Sequence, residues 1–179
     1  HRRWLTSVAR IFRTASGRTT SVQDHSAPKI LIALFLIIQM LLPFRYLVYP
    51  GELFWHEQGF RFSWRVMLME KQGYTTFTCV DPGTGEQWTV QNDQFLTPFQ
   101  EKQMAFQPDF ILEYAHHLSN HFETTENRPH VEVYATSYVA LNGRPSRPFV
   151  DSSIDLTTKE RNLQPIDWLL PFNDTIYGL

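Results

Sequence analysis

Three groups of side chains have the residue types and spacings that chemistry uses. Arg61, Ser63, Arg65, Met67, Met69 and Lys71 recur at every second position. On an extended chain this alternation puts all six on one face of a sheet, with Phe60, Phe62, Trp64, Val66 and Leu68 on the other. Two guanidiniums, an ammonium and a hydroxyl on one face suit the holding of carboxylates, and the methionines suit an adaptable contact surface. The plainer reading is a solvated strand face. His117 and His121, four apart on a helix beside His116, have a spacing that shares a metal ion. No Glu lies between them, and Glu113 is a helical neighbour of His117. Polar residues flanking an apolar stripe are therefore the preferred reading, and no metal is expected. Asp151 and Asp155 share one side of an extended segment, either as a general acid/base pair or, more commonly, as turn and capping acids. Asn173-Asp174-Thr175 matches the glycosylation acceptor pattern. The lone Cys79 excludes an internal disulfide and a thiolate cluster.

The elements that must position these groups divide near residue 30. The 179 residues are 42% hydrophobic and 15% aromatic, which excludes collagen-like and wholly disordered chains. A net charge of -2 conceals +5 over residues 1–29 and -7 over the rest. The run Ile30–Leu42 is interrupted only by Gln39. Extended to Ala27–Tyr49 it reaches about 34 Å, enough to cross a bilayer with some tilt. Lys29 and Arg45 lie near its ends and can snorkel, Pro43 kinks it, and Tyr46, Tyr49, Phe54 and Trp55 supply an aromatic belt. A buried core helix and a cleaved signal peptide compete with this reading. The first calls for a polar face, and the second for small residues where Pro43-Phe44-Arg45 stands. A transmembrane helix over 27–49 is expected, with the basic loop 1–26 cytoplasmic and residues 50–179 extracytoplasmic. Trp4, Leu5, Val8, Ile11 and Phe12 have the spacing of a short interfacial helix in that loop. The lipid bilayer is an expected partner and nucleic acid is not.

Residues 50–179 are predicted to fold as an α+β domain, an antiparallel sheet with two helices. Strands are expected at Phe60–Lys71, Tyr74–Val80 after the Gln72-Gly73 turn, and Gln87–Val90 after Asp81-Pro82-Gly83-Thr84-Gly85, forming a meander. Thr97-Pro98-Phe99-Gln100 and Pro108-Asp109 each open a helix, the second with the stripe Ile111, Ala115, Leu118, Phe122. A strand from His130 to Leu141 turns at Asn142-Gly143 and returns over Arg147–Ile154. The tail from Thr157 reads as an ordered arm on the domain or the membrane.

Several segments, in one order, resemble a known family. Leu42-Pro43-Phe44-Arg45-Tyr46-Leu47-Val48-Tyr49-Pro50-Gly51 and Gly59-Phe60-Arg61-Phe62-Ser63-Trp64-Arg65-Val66-Met67-Leu68 are similar to the final membrane helix and following strand of vitamin K-dependent gamma-carboxylases. They resemble still more the bacterial HTTM-type relatives. Leu96-Thr97-Pro98, Gln107-Pro108-Asp109, Tyr114-Ala115-His116-His117-Leu118 and Phe149-Val150-Asp151-Ser152-Ser153-Ile154-Asp155-Leu156 extend the likeness over roughly residues 28–160. The resemblance implies the C-terminal part of a multi-pass membrane lyase that carboxylates peptide glutamate while epoxidising vitamin K hydroquinone. Oxygen and carbon dioxide are the co-substrates. Its catalytic residues are expected upstream, in a membrane portion outside this sequence. The implied contribution of this part is binding of a glutamate-containing peptide or protein. Phe60, Ser63, Trp64 and Met67 match family positions near the glutamate, and Arg61, Arg65 and Lys71 supply cations. Animal members carry a histidine and then an arginine where this chain has Met69 and Lys71, and an arginine where it has Ser153. The alternative is a non-catalytic membrane-anchored binding domain that retains the fold.

Overall fold

The computed structural model describes residues 26–174 apart from Val66, Asn127 and Pro129. The basic leader with its helical spacing, and Thr175 of the acceptor triplet, lie outside the described residues. The chain divides into two units, His1–Met40 and Leu41–Leu179. Helix α1, Ser26–Leu41, supplies the described part of the first. The helical run Ala27–Val48 has 22 residues, a mean hydropathy of 2.2 and only 6% of its most apolar stretch buried. It is long and apolar enough to cross a bilayer. A core helix would be covered, and this one is exposed throughout α1.

In the second unit, β1 (Lys71–Val80), β2 (Gln87–Thr89), β3 (Glu132–Leu141) and β4 (Arg147–Pro148) form an antiparallel sheet in the order β2-β1-β3-β4. β1 and β3 pair along their whole lengths, from Lys71↔Leu141 to Val80↔Glu132. Their period-two pattern turns Phe77, Cys79, Val133, Ala135, Val139 and Leu141 inward, all buried. Helices α3 (Pro98–Met104) and α4 (Pro108–Thr125) cover that face after the short helix α2 (Leu53–His56). Thr97 and Gln100 close a reciprocal capping box on α3 with Pro98 behind the cap. The α4 stripe Ile111, Ala115, Leu118 and Phe122 is buried as its spacing requires. At Gly73 a Cβ would stand 2.6 Å from the Ala105 carbonyl oxygen, so only glycine lets β1 pass beneath the end of α3.

The α+β class stands, but three strand expectations are corrected. Among the described residues, 60–70 form no strand, and Gln72-Gly73 continue β1 instead of turning the chain. Phe62, Trp64 and Met67 have φ of 69°, 58° and 62°, and three left-handed residues break an extended chain. The main partner of β1 is therefore β3, distant in sequence, and not a neighbouring hairpin strand. The returning strand shrinks to Arg147–Pro148 because Val150 pairs instead with Leu169. The tail is an arm on the domain, pinned where Trp168 is buried and the Leu170 N–H donates to the Phe149 carbonyl.

Candidate functional site

The site is built on α2. Glu52 caps this single turn by accepting from the Phe54 N–H, and Phe54, Trp55 and His56 are buried. Glu57 then turns left-handed at φ 59°, which directs its carboxylate back at the sheet. There it meets Lys71, whose Nζ donates to Glu57 Oε1 at 2.7 Å and to the Trp55 carbonyl at 2.8 Å. The ammonium also lies 4.6 Å from the Phe149 ring centre. Its side chain is 0% exposed. Burial lowers the Lys71 pKa, with the Glu57 charge and hydrogen bond opposing. Lys71 was expected on an open cationic face; the structure places it inside, as the tie between α2 and β1.

From Gly59 the chain winds over the last turns of the candidate span. Phe60 packs edge-on against Phe54 at 5.8 Å. Arg45 Nη2 donates to the Arg61 carbonyl at 3.1 Å. Arg65 lies over the Tyr46 ring at 4.5 Å and donates to its hydroxyl at 3.1 Å. Trp64 meets Phe44 at 6.2 Å. The Arg61 guanidinium turns to Asp109, 3.8 Å away at the start of α4, which Arg161 also approaches at 3.0 Å. Ser63 is buried with its hydroxyl unpartnered, and Met69 packs on the core.

The six alternating residues are thus split: Arg61 and Met67 are exposed as expected, Arg65 and Met69 are half-buried, and Ser63 and Lys71 are buried. Phe62, Trp64 and Met67 stand 71%, 68% and 95% exposed, while Ser63 and Lys71 are inside. Left-handed backbone at a bulky residue costs about 1–3 kcal/mol. Three such residues here present large apolar side chains outward. Arg45, Tyr46, His56 and Glu57, which fix the loop, carry no functional signal in the sequence beyond the Pro50-Gly51-Glu52 start of α2.

A cleft of about 590 Å³ opens beside the loop, between α2, the start of α4 and the arm 158–168. His56 lies in its wall. Its Nδ1 accepts from the Gln58 N–H at 3.0 Å, which leaves the ring proton on Nε2. Burial first, then the nearby Lys71 charge, lowers the His56 pKa, with the Gly51 carbonyl opposing. In the unfolded chain His56 takes a proton below about 6.5, and in the fold it resists until the pH is lower. Stability contributed by the neutral ring is therefore present above about 6.5 and lost on acidification. The urea midpoint is expected to fall between pH 7 and 5, and to fall less in His56→Gln.

The other candidates take the plainer reading. His116 Nε2 bonds the Lys159 carbonyl at 2.8 Å, and His117 and His121 set their rings against Phe95 at 6.1 and 4.9 Å. No group of three metal-ligating side chains occurs among the described residues. Asp151 accepts from the Ser153 N–H and hydroxyl, and Asp155 from the Thr157 and Val133 N–H groups. These are turn and capping acids. Burial pushes the Cys79 thiol up to about 12, leaving it inert.

A family model described as vitamin K-dependent gamma-carboxylase, lumenal domain, matches residues 24–175. No curated protein and no solved structure matches the chain. The lumenal-domain match and the one candidate membrane helix among the described residues together describe a membrane protein with a non-cytoplasmic segment.

Proposed function

The chain belongs to the vitamin K-dependent gamma-carboxylase family, and from that premise we propose that it is the substrate-holding part of a multi-pass membrane carboxylase. Its loop 60–67 contacts a glutamate-containing peptide at the membrane face. The observation that carries the reading is the strained, outward-facing loop, fastened by Arg45 and Arg65 to the last turns of the span. Trp64 and Met67 offer the contact area, Phe60 and Ser63 support them from within, and Arg61 and Arg65 keep positive charge beneath. Lys71 acts from behind, by holding α2.

Oxidation of vitamin K hydroquinone by oxygen would supply the base strength for removing a glutamate γ-proton, after which carbon dioxide adds. A prenylated quinone asks for an enclosing apolar slot. Two clefts formed by the described residues are lined in part with charged side chains. The described residues lining these two clefts do not fit the quinone. The catalytic membrane portion remains expected upstream.

One observation favours a second reading, a membrane-anchored binding domain without catalysis. Two positions where animal members carry arginine have structural duties here, Lys71 to Glu57 and Ser153 to Asp151. Quinone epoxide formation and labelled bicarbonate incorporation by membranes expressing the complete gene separate the two. For the loop itself, the double variant Trp64→Ala/Met67→Ala alters exposed side chains, so stability should stay within about 0.5 kcal/mol. Affinity for a glutamyl peptide, measured by fluorescence anisotropy, should fall about tenfold or more. Unchanged affinity would remove the loop from substrate binding.

A further inference from the structure

Two buried donors beside the loop lack a well-aligned acceptor, the Gly51 carbonyl lying near His56 without completing a hydrogen bond. His56 is 9% exposed, and its Nε2–H meets no acceptor of proper geometry. Arg45 gives Nη2 to the Arg61 carbonyl, yet its Nε–H is also buried and unmatched. Both residues line the same cleft. Folded proteins seldom leave buried donors unmatched, and those that remain commonly mark a functional site.

The charges around the cleft indicate what is missing. Arg161 is answered by Asp109 at 3.0 Å, and Arg61 approaches the same carboxylate at 3.8 Å. Arg45 has no ion pair among the described residues and lines the same cleft as His56, whose burial favours the neutral ring; Glu57, Glu160 and Asp167 line it as well. A guanidinium N–H with an imidazole N–H suits an anionic acceptor with two oxygens, a carboxylate. The cleft volume of about 590 Å³ exceeds what a lone small acid fills and lies in the ordinary range of ligand pockets. Arg61 belongs to both cleft and loop, and Arg45 holds the Arg61 carbonyl, so one chain lying along the loop reaches the cleft.

We infer that the cleft is a second carboxylate site, taking an acidic side chain of the same peptide whose glutamate the loop holds, through Arg45 and His56. This inference rests on the loop reading proposed above.

The test uses the full chain in nanodiscs. The probes are acetyl-Ala-Glu-Ala-Ala-Glu-Ala-amide, its two single-Gln forms, and glutarate as a free diacid. His56→Leu removes the donor, whereas His56→Gln returns an N–H at similar reach. The two-Glu peptide should bind about tenfold more tightly than one of the single-Gln forms. His56→Leu should erase that ratio, and His56→Gln should keep most of it. The wild-type His56 ring ¹⁵N signals should shift on adding the two-Glu peptide, a readout that needs no variant to fold. A ratio that survives His56→Leu, or ring signals that do not move, would overturn the site. Glutarate competing at the peptide's own affinity would overturn the peptide assignment. Trp64→Ala separates the two proposals. It should weaken all three peptides alike and leave the ratio intact. If it weakens none, the loop reading fails whatever His56 does.

Discussion

Glu57→Gln is expected to lower the stability of the folded domain by about 3–5 kcal/mol, because it strands the buried Lys71 ammonium without its counter-charge. The pair is 2.7 Å apart, with the Lys71 side chain 0% and the Glu57 side chain 15% exposed. For a chain of this size that loss amounts to a fall of roughly 10 °C in the melting temperature. Lys71→Met should cost far less, about 1 kcal/mol, since it removes the fully buried charge and leaves a carboxylate whose side chain is 15% exposed and within reach of water. Thermal melts of the two variants in detergent check the asymmetry. Equal losses would mean that packing, and not the stranded charge, dominates. The pH dependence adds a sign. The folded pKa of Lys71 lies below its ordinary value of 10.5, so near that value the unfolded chain binds more protons. Stability should then rise with pH as the ammonium deprotonates in the fold, up to about 10.5. Lys71→Met should lose that rise.

Gly59→Ala is the second large effect, and it reads out in both stability and binding. Gly59 has φ +76°, and a Cβ there would stand 2.7 Å from Tyr46 Cα and 2.9 Å from Tyr46 N. Both are backbone atoms, so the loop must move off the turn that Arg65 and Arg45 fasten it to. The expected cost is about 2–4 kcal/mol, combining left-handed strain with overpacking. Glutamyl-peptide affinity should fall at least about tenfold, the loss expected of a hot spot. Gly51→Ala is the internal control. Its φ is +97°, but its Cβ would meet only His56 Cδ2 at 3.7 Å. That variant carries the strain without the clash, about 1 kcal/mol, and should keep binding. Calorimetry and peptide titration on both variants separate the two contributions.

The fold was legible wherever one local rule acted alone. The Thr97–Gln100 capping box, the α4 stripe and the alternation of β3 announce elements that the structure contains. The segment 60–70 misled because its alternation is real but serves no strand. Phe62 and Trp64 alternate with Ser63, yet the polar member is the buried one, and nothing local reveals left-handed φ at an aromatic residue. The pairing of β1 with β3 bridges some sixty residues, from Lys71↔Leu141 onward, and tertiary packing decides it. Glu57 and His56 were invisible for the same reason. Their roles exist only once Lys71 and the arm 158–168 come to α2. The resemblance points to the segment 60–71, and the structure changes how that segment presents its side chains.

Photo-crosslinking from position 64 tests the central claim most directly. With benzoylphenylalanine in place of Trp64, the protein in nanodiscs is irradiated beside a labelled glutamyl peptide and, separately, its glutaminyl counterpart. A loop that holds substrate should label the glutamyl peptide, with excess unlabelled glutamyl peptide abolishing the product and the glutaminyl form competing poorly. Crosslinks to lipid alone, or equal labelling of both peptides, would contradict a substrate-holding loop at the membrane face.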